Sequence, residues 1–581
     1  MQIVFFAIII RAGVIQLFPP SKDQLKKIAA KQYEQHLNLA PYRGPILDRN
    51  GHPFAISIKQ PSIAVNPRVF DPSPSDLKKI SELLDIPKEK VRAIAGKKVY
   101  FSWLKRRVDK KTAAAIEELG IEGLYFINEP TRTYPLQSVG AQIIGSVGSD
   151  NLGLFGLERQ FDKLLQGVTS TVSPSKDARG RTILFSSDLA APDLPGHTIQ
   201  LTIDHVIQEI ADESLKTGVI AAKAKSGFAI VTDPHTGRIL ALSNYPQFDP
   251  NAIGVVNMEA TRNHALLDSF EPGSVLKPLV IAAAIEKRKT SPTEMHNCEN
   301  GVYRAGGVVF RDDHPASTLS TAETIVRSSN ICSYKIAERL GKDGLFEALR
   351  NFGYSGNLPL PEMFPSISRG FISKPDSWKA IRFANIAFGQ GLTTTGLEMA
   401  MAYGAVANGG NLMKPQIIDR ITSPSGEITY AASPETVRSV LSLDTSRKMR
   451  EILGMVVTDP RGTGKKAATE FYSTGGKTGT TEKVDPKTKA YSADLRLSSF
   501  IGLAPVSDPY LVIYVVVDEP AVRPAYGGLL AAPVFSSIAE KALRYMNVAP
   551  DIQRDKKTPE VLPKVERISK GGDVESSPRK L

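Results

Sequence analysis

Residues 275–285 are apolar on nearly every face of a helix, and this run constrains the chain more than any other feature. A helix of this kind has no side to show to water, so it must lie inside a domain large enough to surround it. Pro278 stands in the first turn, where backbone N–H groups have no intrahelical partner and a proline costs little. Ser274 precedes the run, directly after the loop residues Glu271-Pro272-Gly273. The expectation is a serine at a buried helix N-terminus, where free N–H groups and the helix dipole favour developing negative charge. Lys277, three residues on, falls on the same face. A lysine held in a partly dry pocket loses its proton more readily and can activate a serine.

Two further short motifs complete the pattern: Ser328-Ser329-Asn330 and Lys477-Thr478-Gly479. The three together resemble the S-x-x-K, S-x-N and K-T-G motif set shared by penicillin-binding proteins and class A β-lactamases. Singly they are weak. Ser75/Lys78, Ser102/Lys105 and Ser173/Lys176 repeat the first spacing, Ser149-Asp150-Asn151 and Ser355-Gly356-Asn357 the second, and Lys216-Thr217-Gly218 the third. Context separates them. Arg106 and Arg107 follow Lys105, which implies a solvated basic surface. Lys216-Thr217-Gly218 reads as a helix end with Gly218 as its cap. Ser328 and Asn330, in contrast, fall on a tight connection between two apolar-patterned helices, and Lys477 follows Gly475-Gly476 as an exposed edge strand would. Residues 512–517, dominated by β-branched side chains, have the character of a central strand.

With 581 residues the chain needs two or three domains. The net charge of +12 is spread along the sequence with no basic helix and no interleaved aromatics, so nucleic acid is not an expected partner. Cys298 and Cys332 are the only cysteines, too few for a disulfide-built scaffold or a zinc quartet; two buried thiols are the favoured reading, with a single bridge left open for an oxidising compartment. No cofactor and no metal are expected. Residues 1–10 are nearly all apolar, Arg11 interrupts, and residues 12–18 are mostly apolar. The segment is read as the outer part of a single membrane anchor, although a span needs about 20 apolar residues. The shortfall points to a true start upstream of Met1. The expected domains are the anchor at 1–18, a non-catalytic pedestal at 19–190, a catalytic domain at 191–547 and a disordered tail at 548–581.

In this order the motifs resemble those of class B penicillin-binding proteins, particularly the septal cell-division type (FtsI type). The resemblance rests also on Arg43-Gly44-Pro45-Ile46, Asp48-Arg49-Asn50-Gly51, Gly156-Leu157-Glu158, Phe161-Asp162 and Leu201-Thr202-Ile203-Asp204. Arg262-Asn263 with Ala265, residues 271–278, Phe388-Gly389-Gln390-Gly391, Gly462-Thr463-Gly464 and residues 475–480 complete it. It implies an α/β (α+β) transpeptidase domain with a central antiparallel sheet flanked by helices, on an elongated N-terminal pedestal. It implies Ser274 as acylated nucleophile, Lys277 as its base and Ser328 as proton shuttle. Asn330, Lys477, Thr478, Gly479 and Thr480 would hold the substrate, and the N–H groups of Ser274 and Thr480 would form the oxyanion hole. The substrates would be D-Ala-D-Ala stem peptides, with β-lactams as inhibitors. An FtsW-type glycan polymerase and divisome proteins would be partners at the inner membrane, with the catalytic domain periplasmic and enriched at the septum. An elongation-type transpeptidase is the alternative, followed by a β-lactam sensor and a catalytically silent scaffold.

Overall fold

The computed structural model describes residues 42–552 except 100, 168–170, 173–174, 177–181, 185–194, 253–256, 306–307 and 486, and before them only Phe6 and Leu37–Asn38. The expected anchor, save Phe6, and the expected tail from residue 553 lie outside the described residues. Among the described residues no helix is long and apolar enough to cross a membrane.

The N-terminal part is built on β1 (Ile46–Leu47), β2 (Pro53–Val65), β3 (Ser102–Lys105) and β4 (Leu124–Thr133). Asn50-Gly51 turns the chain between β1 and β2 with Gly51 at φ +88°, a backbone angle that favours glycine. β2 pairs β4 antiparallel from Ile56 opposite Thr133 to Val65 opposite Leu124. Short helices at Pro74–Leu84, Lys88–Ala95 and Lys110–Glu117 cover one face with Ile80, Val91 and Ile116. Arg43 is fully buried, paired with Glu158 at 2.7 Å and Asp162 at 2.6 Å, and Arg132 reaches Glu158 at 2.6 Å. Removing one member of such a network strands a buried charge at a cost of about 3–5 kcal/mol.

β1 also runs parallel to β5 (Thr198–Leu201), which pairs β8 (Ile418–Thr422). One sheet therefore carries the N-terminal part into the C-terminal body. Asp204 then caps α1 (His205–Ala221) by accepting from the Val206 N–H at 3.0 Å.

The body is organised by a five-stranded sheet. Its strands are β6 (Ala224–Thr232), β7 (Ile239–Tyr245), β9 (Gly475–Val484), β10 (Tyr491–Ala504) and β11 (Leu511–Pro520). The order is β7-β6-β11-β10-β9, every neighbouring pair antiparallel. The β-branched run is the central strand, and the Lys477 strand is an edge. Alternation decides the layers, since successive strand residues point to opposite faces. Ala229, Val231, Ile513 and Val515 pack on α1 and α6 (Ala532–Tyr545). Phe228, Ile230, Val512, Tyr514 and Val516 face α4 (Gly396–Ala407), in the core that also buries α2 (Lys277–Glu286) and one side of α5 (Leu443–Thr458). All residues from 277 to 285 are buried, as the apolar run requires.

One reading is corrected. Gly218 does not end α1, which continues to Ala221. A Cβ there would stand 2.3 Å from Val534 Cγ2. The glycine is needed where α6 crosses α1, a contact between segments more than 300 residues apart in sequence that no local pattern shows.

Candidate active site

Ser274 lies on a 3₁₀ turn, Gly273–Leu276, that feeds directly into α2. Gly273 has φ +60° and donates its N–H to the Gly389 carbonyl at 2.8 Å. Across the turn runs β9. A Cβ on Gly479 would meet Ser499 Oγ at 2.4 Å and Val275 Cγ1 at 3.0 Å. A bare backbone at Gly479 therefore lets the edge strand lie against the turn that carries Ser274.

Ser328 ends the segment before α3 (Asn330–Glu338) with φ +60°, a left-handed angle that costs a non-glycine residue about 1–3 kcal/mol. Two buried lysines meet its hydroxyl. Lys277 Nζ donates to the Ser328 carbonyl at 2.6 Å, to Asn330 Oδ1 at 2.7 Å and to Ser328 Oγ at 3.3 Å. Lys477 Nζ donates to the same Oγ at 2.9 Å and to the Thr478 carbonyl at 3.0 Å. Burial pushes the Lys277 pKa down to about 8 against the raising pull of Asp312 and Asp313. Burial, and then the charge of Lys277, push Lys477 well below the ordinary lysine range. Thr478 Oγ1 donates to Thr463 Oγ1 at 2.9 Å, and Thr480 Oγ1 accepts from the Gly527 N–H at 3.2 Å. Two buried lysine Nζ atoms of lowered pKa thus meet at one hydroxyl, beside the serine-bearing turn. That arrangement suits proton traffic to and from a nucleophile and recognition of an anionic group.

The chain matches the penicillin binding protein transpeptidase domain over residues 227–540 and the penicillin-binding protein dimerisation domain over residues 38–201. It is 32% identical over 552 residues to the probable peptidoglycan D,D-transpeptidase PenA of Neisseria meningitidis, covering 94% of this chain and 92% of the relative. The chain belongs to the class B penicillin-binding proteins. Peptidoglycan D,D-transpeptidase FtsI of Escherichia coli is 31% identical over 552 residues, with 93% and 90% coverage. Stage V sporulation protein D of Bacillus subtilis is 32% identical over 557 residues, with 94% and 85% coverage. The crystal structure of penicillin-binding protein 3 from Mycobacterium tuberculosis complexed with aztreonam superposes with a TM-score of 0.67 at 26% identity, covering 88% of this chain and 98% of that one. The protein is a peptidoglycan D,D-transpeptidase, a serine-type acyl-transfer enzyme.

Of the residues singled out from the three motifs of this penicillin-binding protein, Lys277, Ser328, Asn330 and Lys477 are joined by hydrogen bonds, Ser274 lies on the turn that leads into Lys277, and Thr478, Gly479 and Thr480 follow Lys477 on β9. The competing matches lie elsewhere. Ser75 sits at an exposed helix start, Ser102 and Lys105 lie on β3 with Lys105 on the Leu84 carbonyl, and Lys216 is exposed on α1. Ser173 lies outside the described residues.

Asp312 escaped the sequence reading. This buried carboxylate accepts from Ser329 Oγ at 2.6 Å, from the Asn330 N–H at 2.6 Å and from the Ile331 N–H at 3.1 Å. It holds the start of α3 and thereby the strained Ser328. Asn330 Nδ2 donates to the Arg311 carbonyl at 2.9 Å, which fixes the amide's orientation. Nothing in the local pattern around Asp312 announces this role.

The favoured reading of two thiols gives way to the alternative of a single bridge. Cys298 and Cys332 form a disulfide with their Cα atoms 5.3 Å apart, both fully buried. Their 34-residue separation hides the proximity from the sequence. Cys332 is in the first turn of α3, so the bridge ties that turn to the segment at Met295–Asn297. Loop-closure entropy for a bridge of this span is worth about 3–4 kcal/mol. The double variant Cys298→Ser/Cys332→Ser is expected to melt roughly 5–10 °C lower in a thermal scan. An unchanged melting temperature would show that the bridge does not stabilise this part of the fold.

Proposed function

We propose that Ser274 is the acylated nucleophile of a peptidoglycan cross-linking reaction at the septum. The observation that carries the reading is the Ser328 hydroxyl held between the buried Nζ atoms of Lys277 and Lys477. Lys277, in its neutral form, takes the Ser274 proton as Oγ attacks the carbonyl between the two D-alanines of a stem peptide. The N–H groups of Ser274 and Thr480 stabilise the oxyanion. Ser328, with Lys477 behind it, returns a proton to the amine of the departing D-alanine. The side-chain amine of a neighbouring stem then attacks the acyl-enzyme, losing a proton back to the same relay, and frees Ser274. Asn330 holds the peptide, and Lys477, Thr478 and Thr480 receive the terminal carboxylate, with Gly479 letting the strand lie close. β-Lactams mimic the dipeptide and leave Ser274 stably acylated.

The domain reading is anchor 1–18, pedestal 19–190, transpeptidase 191–547 and tail 548–581. The catalytic part works outside the cytoplasm, an assignment supported by the buried disulfide, since such bridges persist in oxidising compartments. Glycan polymerisation comes from an FtsW-type partner within the divisome. The Gly462-Thr463-Gly464 segment, whose Thr463 touches Thr478, supports the septal over the elongation role.

Purified protein incubated with a stem pentapeptide and an acceptor amine should release D-alanine and form the cross-linked peptide, and Ser274→Ala should do neither. Cross-linking by folded Ser274→Ala would refute the nucleophile assignment. A fluorescent fusion that labels the lateral wall without septal enrichment would refute the septal role.

A further inference from the structure

A second cluster of chemically capable side chains lies far from the cleft in sequence, where the N-terminal part joins the body. Asp48 closes β1, His52 opens the far side of the Asn50-Gly51 turn, and His205 is the first residue of α1. Asp48 Oδ1 accepts from the Asn50 N–H at 2.7 Å and the His52 N–H at 2.8 Å, and its Oδ2 lies 2.6 Å from His205 Nδ1. His52 Nδ1 is 3.6 Å from Asp48 Oδ1, and the two imidazole rings have centroids 4.5 Å apart. One donor atom from each of the three residues lies within 4.8 Å of the others. Asp48 is completely buried, His205 partly so, and the His52 side chain is 59% exposed.

We propose that Asp48, His52 and His205 form a zinc site that staples the β1–β2 hairpin to α1. Donors on a tetrahedral zinc stand roughly 3.3–3.6 Å apart, because each bond is about 2.0–2.2 Å. A rotation of the exposed His52 side chain brings its donor within that distance. Two imidazoles and one carboxylate are a donor set for zinc rather than for magnesium or calcium, which take oxygen. Backbone structure holds the donors without the ion. The turn N–H groups orient the Asp48 carboxylate, and the Asp204 cap fixes the start of α1 and with it His205. On binding, zinc takes the place of the His205–Asp48 hydrogen bond and His205 keeps its proton on Nε2. Water fills the fourth position on the exposed side. Since α1 packs directly on the five-stranded sheet, the ion couples the pedestal hairpin to the catalytic body. This site departs from the expectation of no metal, which rested on the lack of a cysteine quartet, and its third donor lies some 150 residues from the other two.

The full-length protein, stripped with a chelator, is titrated with zinc chloride by calorimetry and with cobalt chloride by visible absorption. His52→Ala and His205→Gln are titrated beside it. The wild type should take up one zinc per chain, show a cobalt ligand-field band and melt higher with zinc. Each variant should bind at least about tenfold more weakly. Because the His52 side chain is mostly exposed, His52→Ala should match the metal-free wild type in melting temperature and in penicillin acylation, which verifies its fold. Failure of the wild type to bind one equivalent, or wild-type affinity in both variants, would overturn the site.

Discussion

Lys277→Ala should acylate with penicillin about 10²–10⁴-fold more slowly than the wild type, the range expected when a positioned general base is lost. The lysine is buried and its ammonium holds both Ser328 and Asn330, so the variant loses the proton acceptor and one tether of the relay together. The pH dependence follows from the same group. Only neutral Lys277 accepts the Ser274 proton, and its pKa is pushed down to about 8. Acylation by the wild type should therefore rise with pH and level off above about 8, where the neutral form dominates. Stopped-flow acylation of well-folded protein measures both effects. A pH-independent rate between 6 and 9, or a rate within a few-fold of wild type in Lys277→Ala, would remove Lys277 from the base role.

Asp312→Ala should be the second large loss. Its carboxylate satisfies three donors, Ser329 Oγ and the N–H groups of Asn330 and Ile331. Each donor left unpaired in a buried site costs about 1–3 kcal/mol. The turn carrying Ser328 should relax, and acylation should fall by a hundredfold or more with a lower melting temperature. Asp312→Asn separates charge from shape. The negative charge of Asp312 raises the Lys277 pKa, so its removal should move the rising limb of the pH profile to lower pH. A purely structural role would lower the rate without moving that limb. An Asp312→Ala enzyme with wild-type rate and melting temperature would contradict the account of the turn.

What the sequence makes legible follows from what is local. Residues 275–285 declare a buried helix because no face is polar, and residues 512–517 declare a central strand because both faces are apolar. Asn50-Gly51 marks its hairpin and Gly475-Gly476 an edge strand, but the expectation that this strand is exposed fails at residues 475–479, which are buried. Fixed spacings and neighbouring breakers set the motif residues apart from the competing matches, and the fold joins four of them, Lys277, Ser328, Asn330 and Lys477, by hydrogen bonds. What stayed hidden depends on partners distant in sequence. Gly218 looks like a helix cap until Val534 is seen against it. The cysteines look like thiols until the fold brings them together. Asp312 draws no notice until the start of α3 docks on it. The lowered pKa of Lys477 comes from burial and from Lys277, 200 positions earlier, so no local pattern could show it.

The central claim, an acyl-enzyme at Ser274, is tested most directly by labelling the purified protein with a fluorescent penicillin and mapping the adduct by peptide mass spectrometry, beside Ser274→Ala. The account predicts one adduct, on the peptide containing Ser274, persisting for many minutes in the wild type and missing from the variant. An adduct on another residue, or equal labelling of Ser274→Ala, would contradict it.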